Sequence, residues 1–353
     1  MSSLYSAGVS ETEAAGLAGG RPVIKLSANE NPLGTSPAAL AALSGLGNLN
    51  LYFDETHETL RAAIGARLGV AESNVVLGHG SNELIAMICR AFLGPGDEAV
   101  MATPTFSLYR TFAAAQQAVP VEIALQNGVH DIDGLCAAIT PRTRLVFICD
   151  PNNPTGTALD GAQWAELLER IPEHVLLVID RAYVDYMNRQ FVDTTALTQR
   201  PNTIVLRTMS KIYGLAALRF GYAHSGTEIV DALNRIRTPY NVSLPAAVAA
   251  AAALEDRAFV ERSLRENAAG KAFLTAALQE LGLHVFPSEA NFLSIAVPTT
   301  ADAAYYDLLE RGIMVRSGDA LAMPGRLRVS IGKRSDLETF VTALHELLPK
   351  WGR

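Results

Sequence analysis

The sequence predicts an α/β fold in which helices sandwich a mostly parallel sheet, followed by a smaller α+β domain. Short apolar runs alternate with helical stretches from about residue 55 onward. Several of these runs are apolar at every position, which is typical of strands covered on both faces of a parallel sheet. After about residue 240, long helical stretches precede short strands, which indicates a second architecture in the C-terminal part.

The predicted elements follow in chain order. Strands are predicted at residues 75–77, 99–102, 145–149, 175–179 and 203–206, with helices between them that include 81–92 and 163–170. Farther along, helices are predicted at 246–268, 271–281 and 337–348, and strands near 284–286, 292–296, 313–316 and 326–330. We therefore expect an N-terminal arm at 1–30, a large domain at 31–240 and a small domain at 241–353. The first twenty residues show no hydrophobic period and predict a loose arm.

Composition and charge exclude several classes of protein. The 353 residues are 49% hydrophobic and 18% charged, which argues against disorder. A net charge of −7 disfavours a general nucleic-acid or anionic-membrane binder. The three cysteines (Cys89, Cys136 and Cys149) form no CxxC motif, and no basic segment with an apolar run begins the chain. These features predict a soluble cytoplasmic protein.

Polar or turn-forming residues follow four of the predicted strands. They occupy residues 78–83, 150–156, 180–183 and 207–211. Because ligands of open α/β sheets bind beyond the carboxyl ends of the strands, these segments predict one shared crevice.

The turn before the first predicted helix suits a phosphate group. Small residues from Gly78 to Asn82 expose backbone N–H groups at a helix N-terminus. A plain turn with a helix cap explains the same residues, and the third glycine of a dinucleotide fingerprint is absent. The segment 150–156 is more specific, because two prolines bracket Asn152 and Asn153 and fix a rigid loop that aims an amide into the crevice.

Asp180 and Lys211 are candidates for chemistry. Asp180 ends a strongly apolar strand, so its carboxylate needs a partner, and Tyr183 follows three residues later. Lys211 has nearly uncharged neighbours, which favours a lowered pKa and suits imine formation with an aldehyde. A helix cap, a packing tyrosine and a solvated surface lysine are the alternatives. Metallohydrolases and serine hydrolases are disfavoured, because no HExxH or GxSxG motif occurs.

Taken together, the motifs resemble the histidinol-phosphate aminotransferase family, whose fold-type I enzymes use pyridoxal 5′-phosphate (PLP). The matching segments are 27–34 (SANENPLG), 80–83 (GSNE), 151–156 (PNNPTG), 180–183 (DRAY) and 210–219 (SKIYGLAALR). The likeness extends from about residue 23 to the C-terminus.

The resemblance implies a role for each matching residue. Lys211 holds PLP as a Schiff base, Asp180 pairs with the pyridine nitrogen, and Asn153 and Tyr183 hydrogen-bond the phenolic oxygen. Phe106, rather than Tyr109, stacks on the ring. The implied phosphate ligands are Ser81, Asn82, Thr208, Ser210 and Arg219.

Three further residues are assigned by the same resemblance. Tyr52 reaches the phosphate of a neighbouring subunit, which implies a homodimer with shared sites. Arg328 binds a carboxylate, a task that suits a planar guanidinium, and Arg316 meets the distal phosphate of the substrate.

The implied activity is amino transfer between histidinol phosphate, or an aromatic or other amino acid, and 2-oxoglutarate by a ping-pong mechanism. A PLP-dependent decarboxylase or epimerase is the alternative, and a PLP-sensing regulator is a remote one because no stretch matches a DNA-binding module. Three departures from the family pattern bear on the substrate: Arg181, Phe53 and Lys333. Arg181 either changes the surroundings of Asp180 or points outward.

Overall fold

The central sheet is mostly parallel in this computed structural model, which describes residues 8–187 and 200–352. In that part of the chain it has seven strands, in the order β2 (Val75–Gly78), β8 (Gly221–Ser225), β7 (Thr203–Thr208), β6 (Leu176–Asp180), β5 (Thr143–Cys149), β3 (Glu98–Thr103) and β4 (Val119–Ala124). Strand β8 runs antiparallel to both β2 and β7, and the other pairs of this sheet are parallel. The five predicted strands are confirmed, whereas β4 and β8 were not predicted.

Helices cover both faces of this sheet. One face packs against α4 (Gly80–Phe92), α5 (Leu108–Ala115) and α8 (Thr227–Ile236), and the other against α6 (Ile132–Ala137) and α7 (Gly161–Arg170). Alternate residues of β5 show why its sequence is apolar throughout: Leu145 and Phe147 enter the first layer, and Val146 and Ile148 enter the second.

A third layer joins the large sheet to the rest of the chain. It contains α2 (Pro37–Ser44), α3 (Glu58–Leu68) and α9 (Leu244–Glu255), which pack together with residues of β2. Helix α9 lies beyond the predicted boundary at residue 240, and the domain division stays a prediction. No described helix is long and apolar enough to cross a bilayer.

The C-terminal part has its own core. Its three-stranded antiparallel sheet has the order β11 (Arg316–Ser317), β12 (Arg326–Ser330) and β9 (Phe292–Ala296), and β10 (Ile313–Met314) pairs with β1 (Ile24–Lys25). Helices α10 (Arg257–Glu280), α11 (Ala301–Leu309) and α12 (Arg334–Leu347) pack on these strands.

Three predictions about elements are wrong. The helix predicted at 246–268 is broken at Asp256, whose carboxylate caps α10. Helix α10 then continues through Lys271, where a break between two helices was predicted. The strand near 284–286 is reduced to one bridge, between Val285 and Ile295. The arm is not loose at α1 (Glu11–Leu17), because Ser10 and Glu13 form a capping box; residues 1–7 lie outside the described residues.

Candidate active site

A cavity of about 610 Å³ lies at the carboxyl ends of β5, β6 and β7 and extends to β11 and β12. It brings together every predicted site residue except Tyr52: Ser81, Asn82, Phe106, Asn153, Asp180, Tyr183, Thr208, Ser210, Lys211, Arg219, Arg316 and Arg328. The single crevice expected from the strand ends is therefore present.

Lys211 lies in the middle of this lining, in the turn after β7. It is half-buried, and its Nζ donates to the carbonyl oxygen of Ala28 at 3.1 Å. Desolvation, together with the positive charge of Arg328, lowers the pKa of Lys211 to about 7. Its half-buried place in the cavity lining and its hydrogen bond to Ala28 disfavour the alternative of a solvated surface lysine.

Asp180 is buried at the end of β6 and has two hydrogen-bond donors. Its Oδ1 accepts from the backbone N–H of Ala182 at 3.0 Å, and its Oδ2 accepts from the hydroxyl of Tyr109 at 2.7 Å. Desolvation raises the pKa of Asp180, and the Tyr109 hydrogen bond opposes that rise. Tyr109, which stacks on Phe147 with 4.7 Å between ring centroids, therefore orients this carboxylate, a role that the sequence did not indicate.

Arg181 does not point outward. Its side chain and that of Asp150 are both fully buried and form an ion pair at 2.7 Å. Asp150 also accepts from Trp164 Nε1 at 3.1 Å and from the backbone of Leu159 at 2.8 Å. The pair connects the ends of β5 and β6, and thus the loops that contain Asn153 and Asp180.

Asn153 and Tyr183, the residues expected near the cofactor's phenolic oxygen, form hydrogen bonds with distant parts of the chain. Arg328 donates from Nη1 to Asn153 Oδ1 and from Nη2 to the carbonyl oxygen of Ser27, both at 2.7 Å. The Tyr183 hydroxyl contacts the amide of Asn29, which sequence reasoning missed although it lies in the SANENPLG motif. Burial raises the pKa of Tyr183 to about 12, so its phenol is protonated at neutral pH.

One end of the cavity fits a phosphate group. Helix α4 begins there, and Ser210 Oγ receives hydrogen bonds from Thr208 Oγ1 at 3.1 Å and Arg219 Nη1 at 3.4 Å. A Cβ added to Gly80, whose φ is +75°, would lie 2.5 Å from Arg219 Nη2. The glycine therefore keeps a guanidinium and a helix N-terminus close together, which is the donor set that a phosphate requires.

Arg316 and Arg328 lie at the other end. They are directly opposite each other on the antiparallel strands β11 and β12, and both are buried. A guanidinium is a planar fork of donors that matches the geometry of carboxylate and phosphate groups. This end of the cavity is therefore suited to acidic groups of a ligand.

Tyr52 lies outside this cavity. Its side chain is 84% exposed and its ring packs at 4.8 Å from that of Tyr240. Phe53 contacts Tyr240 edge-on and stacks on His57.

Comparison with known proteins identifies the family. Residues 21–344 match the family model of class I and II aminotransferases. The chain belongs to this family. The aminotransferase is 44% identical to the histidinol-phosphate aminotransferase of Moorella thermoacetica over 334 residues, which cover 94% of this chain and 86% of the relative. The resemblance to that family is thus confirmed.

Solved structures confirm the fold-type I architecture. The aminotransferase superposes on histidinol-phosphate aminotransferase from Sinorhizobium meliloti, in complex with PLP, with a TM-score of 0.90, 26% identity, and coverage of 99% of this chain and 98% of that one. L-threonine-O-3-phosphate decarboxylase from Porphyromonas gingivalis has the same fold, with a TM-score of 0.83, 21% identity, and coverage of 93% and 100%. The protein is a PLP-dependent aminotransferase.

Proposed function

We propose that this aminotransferase moves an amino group between histidinol phosphate and 2-oxoglutarate. The observation that supports this choice best is the opposed pair Arg316 and Arg328 in the same cavity as Lys211. Both substrates have acidic groups: histidinol phosphate has a phosphate, and 2-oxoglutarate has two carboxylates. On the donor side, a second buried guanidinium suits the phosphate of histidinol phosphate, a group that apolar amino acids lack.

The two arginines bind different acidic groups of the substrates. Arg316 binds the phosphate of the donor and the distal carboxylate of the acceptor, and Arg328 binds the carboxylate beside the reacting carbon. Donor and acceptor then occupy one cavity in turn, which is a ping-pong sequence.

The residues around the cofactor have separate roles in the reaction. When PLP is bound, its ring accepts the electrons left as the substrate Cα–H bond breaks. Asp180 holds the proton on the pyridine nitrogen, and Tyr109 fixes the direction of the Asp180 carboxylate. Lys211, whose amine is partly neutral at pH 7, takes the proton from Cα and passes it on through Nζ.

The remaining cavity residues hold the cofactor in place. Phe106 would pack on the ring, and Asn153 and Tyr183 would donate hydrogen bonds to the phenolic oxygen. The residues that would hold the phosphate of PLP are Ser81, Asn82, Thr208, Ser210 and Arg219.

A donor panel tests the proposed substrate. Purified holoenzyme is assayed with histidinol phosphate, phenylalanine, tyrosine, leucine and glutamate, with 2-oxoglutarate as acceptor. We expect kcat/KM to be highest for histidinol phosphate. No amino transfer with any donor, together with carbon dioxide release, would instead indicate a decarboxylase.

Arg316→Ala refines that test. Removal of a buried charge-assisted contact costs about 2–3 kcal/mol, so kcat/KM for histidinol phosphate should fall about 30- to 150-fold. The fall for phenylalanine should be several-fold smaller. Equal losses for the phosphorylated and the unphosphorylated donor would remove the phosphate-binding role.

We also propose that the enzyme is a homodimer. Leu49, Leu51, Tyr52 and Tyr240 are exposed large apolar side chains, with Leu51 62% and Tyr52 84% exposed, and the rings of Tyr52 and Tyr240 lie 4.8 Å apart. Because Tyr52 does not line the cavity of its own chain, a second copy is the natural recipient of its side chain. Sedimentation analysis should give a dimer, and a monomer with full activity would contradict the proposal.

A further inference from the structure

Asn29 occupies a junction between the cofactor residues and the C-terminal part. It is 1% exposed, and all of its polar groups are engaged. Its backbone N–H donates to Ser330 Oγ at 2.8 Å, and its carbonyl oxygen accepts from Asn291 Nδ2 at 3.0 Å. In its side chain, Oδ1 lies 3.0 Å from Ser330 Oγ and Nδ2 lies 3.0 Å from the hydroxyl oxygen of Tyr183.

This network favours one orientation of the Asn29 amide. Ser330 Oγ accepts from the Asn29 backbone N–H and donates its own hydrogen to Asn29 Oδ1, an acceptor that a reversed amide would take away. The carbonyl oxygen of the amide therefore faces Ser330, and the NH₂ group faces Tyr183. An amide nitrogen only donates, so the Tyr183 oxygen is the acceptor of this bond.

The direction of that bond leaves the Tyr183 hydrogen for another partner. Tyr183 lines the cavity, and its phenol is protonated because burial raises its pKa to about 12. Its O–H thus remains a donor toward the cavity. If the Asn29 amide were reversed, Oδ1 would accept that hydrogen and the cavity would lose the donor.

We propose that Asn29 is a positioning residue that keeps the Tyr183 hydroxyl donating toward the phenolic oxygen of the cofactor. Ser330 acts one step behind it, by holding the amide in the required orientation. The inference rests on the proposed role of Tyr183 in the active site.

The conformation of Asn29 decides which variants test this. Its φ is +54°, a left-handed conformation in which alanine is strained but glycine is not. Asn29→Gly therefore removes the amide and keeps the backbone. Ser330→Ala is the second variant; it leaves Asn29 in place and frees its amide to rotate.

The measurement is the pH titration of the cofactor's visible absorption band in the holoenzyme. The band changes as the proton between the Lys211 nitrogen and the phenolic oxygen leaves, which concentrates negative charge on that oxygen. A hydroxyl that donates to the oxygen stabilises the charged form, so loss of the donor raises the midpoint. We expect a rise of about one pH unit for Tyr183→Phe, equivalent to about 1.4 kcal/mol. For Asn29→Gly we expect about half a unit, and for Ser330→Ala a smaller rise in the same direction.

A double-mutant cycle shows whether Asn29 acts through Tyr183. In the Tyr183→Phe background, Asn29→Gly should add no further shift. The same shift in both backgrounds, or no shift from Asn29→Gly and Ser330→Ala while Tyr183→Phe shifts the band, would overturn the inference. No shift from Tyr183→Phe itself would instead remove the proposed role of Tyr183.

Asn291→Ala is the matched control for a general loss of hydrogen bonding around Asn29. It removes a hydrogen bond to the backbone of Asn29 but not the contact with Tyr183. We expect no change in the titration, and a shift as large as that of Asn29→Gly would overturn the positioning role.

Discussion

Arg181→Met perturbs the buried ion pair that connects the two loops beside the cofactor residues. Methionine retains most of the volume of the side chain. It leaves Asp150 with a buried charge whose remaining donors among the described residues, Trp164 Nε1 and the backbone of Leu159, are neutral. Both members of the pair are fully buried. Breaking such a pair from one side costs about 3–5 kcal/mol, because the remaining charge is uncompensated.

The size of this effect converts to a melting temperature. The unfolding entropy is about 2.1 cal/mol/K per residue, so the total unfolding entropy of a chain of 353 residues is about 0.74 kcal/mol per kelvin. Arg181→Met should therefore lower the melting temperature of the holoenzyme by about 4–7 °C in differential scanning calorimetry. Asp150→Asn combined with Arg181→Met removes the uncompensated charge of Asp150 and should recover about half of the loss in melting temperature.

An exposed arginine provides the control. Arg265 forms a pair with Glu261 on the surface of α10, with both side chains about 70% exposed. Arg265→Met should lower the melting temperature by about 1 °C or less. If Arg181→Met lowered it no more than Arg265→Met does, the reasoning from burial would be refuted.

Three further variants or conditions test the cavity. Gly80→Ala places a Cβ against Arg219 at a left-handed backbone position and should weaken PLP binding at least tenfold in a fluorescence titration; unchanged affinity would contradict the phosphate site. Tyr109→Phe removes a donor from Asp180 and raises the pKa of the Asp180 carboxyl further. PLP affinity should therefore fall about tenfold, and by more at low pH, where this carboxylate becomes protonated. A loss of affinity that does not depend on pH would contradict this role. The rate at which PLP-free protein binds the cofactor covalently should rise with pH through about 7, because the neutral amine of Lys211 increases above its lowered pKa; a midpoint near the usual lysine value would contradict the desolvated environment.

The sequence predicted the parts of the fold that depend on short-range patterns. Strand β5 is apolar on both alternations because helices cover both of its faces, and that pattern is visible without a structure. Strand β4 lies at the edge of the sheet, has Val119 49% exposed and contains Pro120, so no apolar run marks it. Helix α1 has a start signal in the sequence, the capping box formed by Ser10 and Glu13.

Some site residues were predictable for a related reason. Asn153, Asp180 and Lys211 follow the ends of β5, β6 and β7, and the geometry of the sheet brings them to one cavity. Arg316 and Arg328 lie within β11 and β12 and were assigned by the family resemblance alone. The supporting contacts were not predictable, because Asn29 and Tyr183 are 154 positions apart and Tyr109 and Asp180 are 71 apart. For Arg181 the sequence left two alternatives open, and it did not indicate that Asp150 would be its buried partner.

Borohydride reduction of the holoenzyme tests the central claim, that Lys211 is the residue on which amino transfer depends. Reduction fixes the cofactor to the lysine that binds it, and peptide mapping then identifies that lysine. We expect the label on Lys211, and no label after Lys211→Ala. A label on another lysine, or a reducible adduct that persists in Lys211→Ala, would contradict the account.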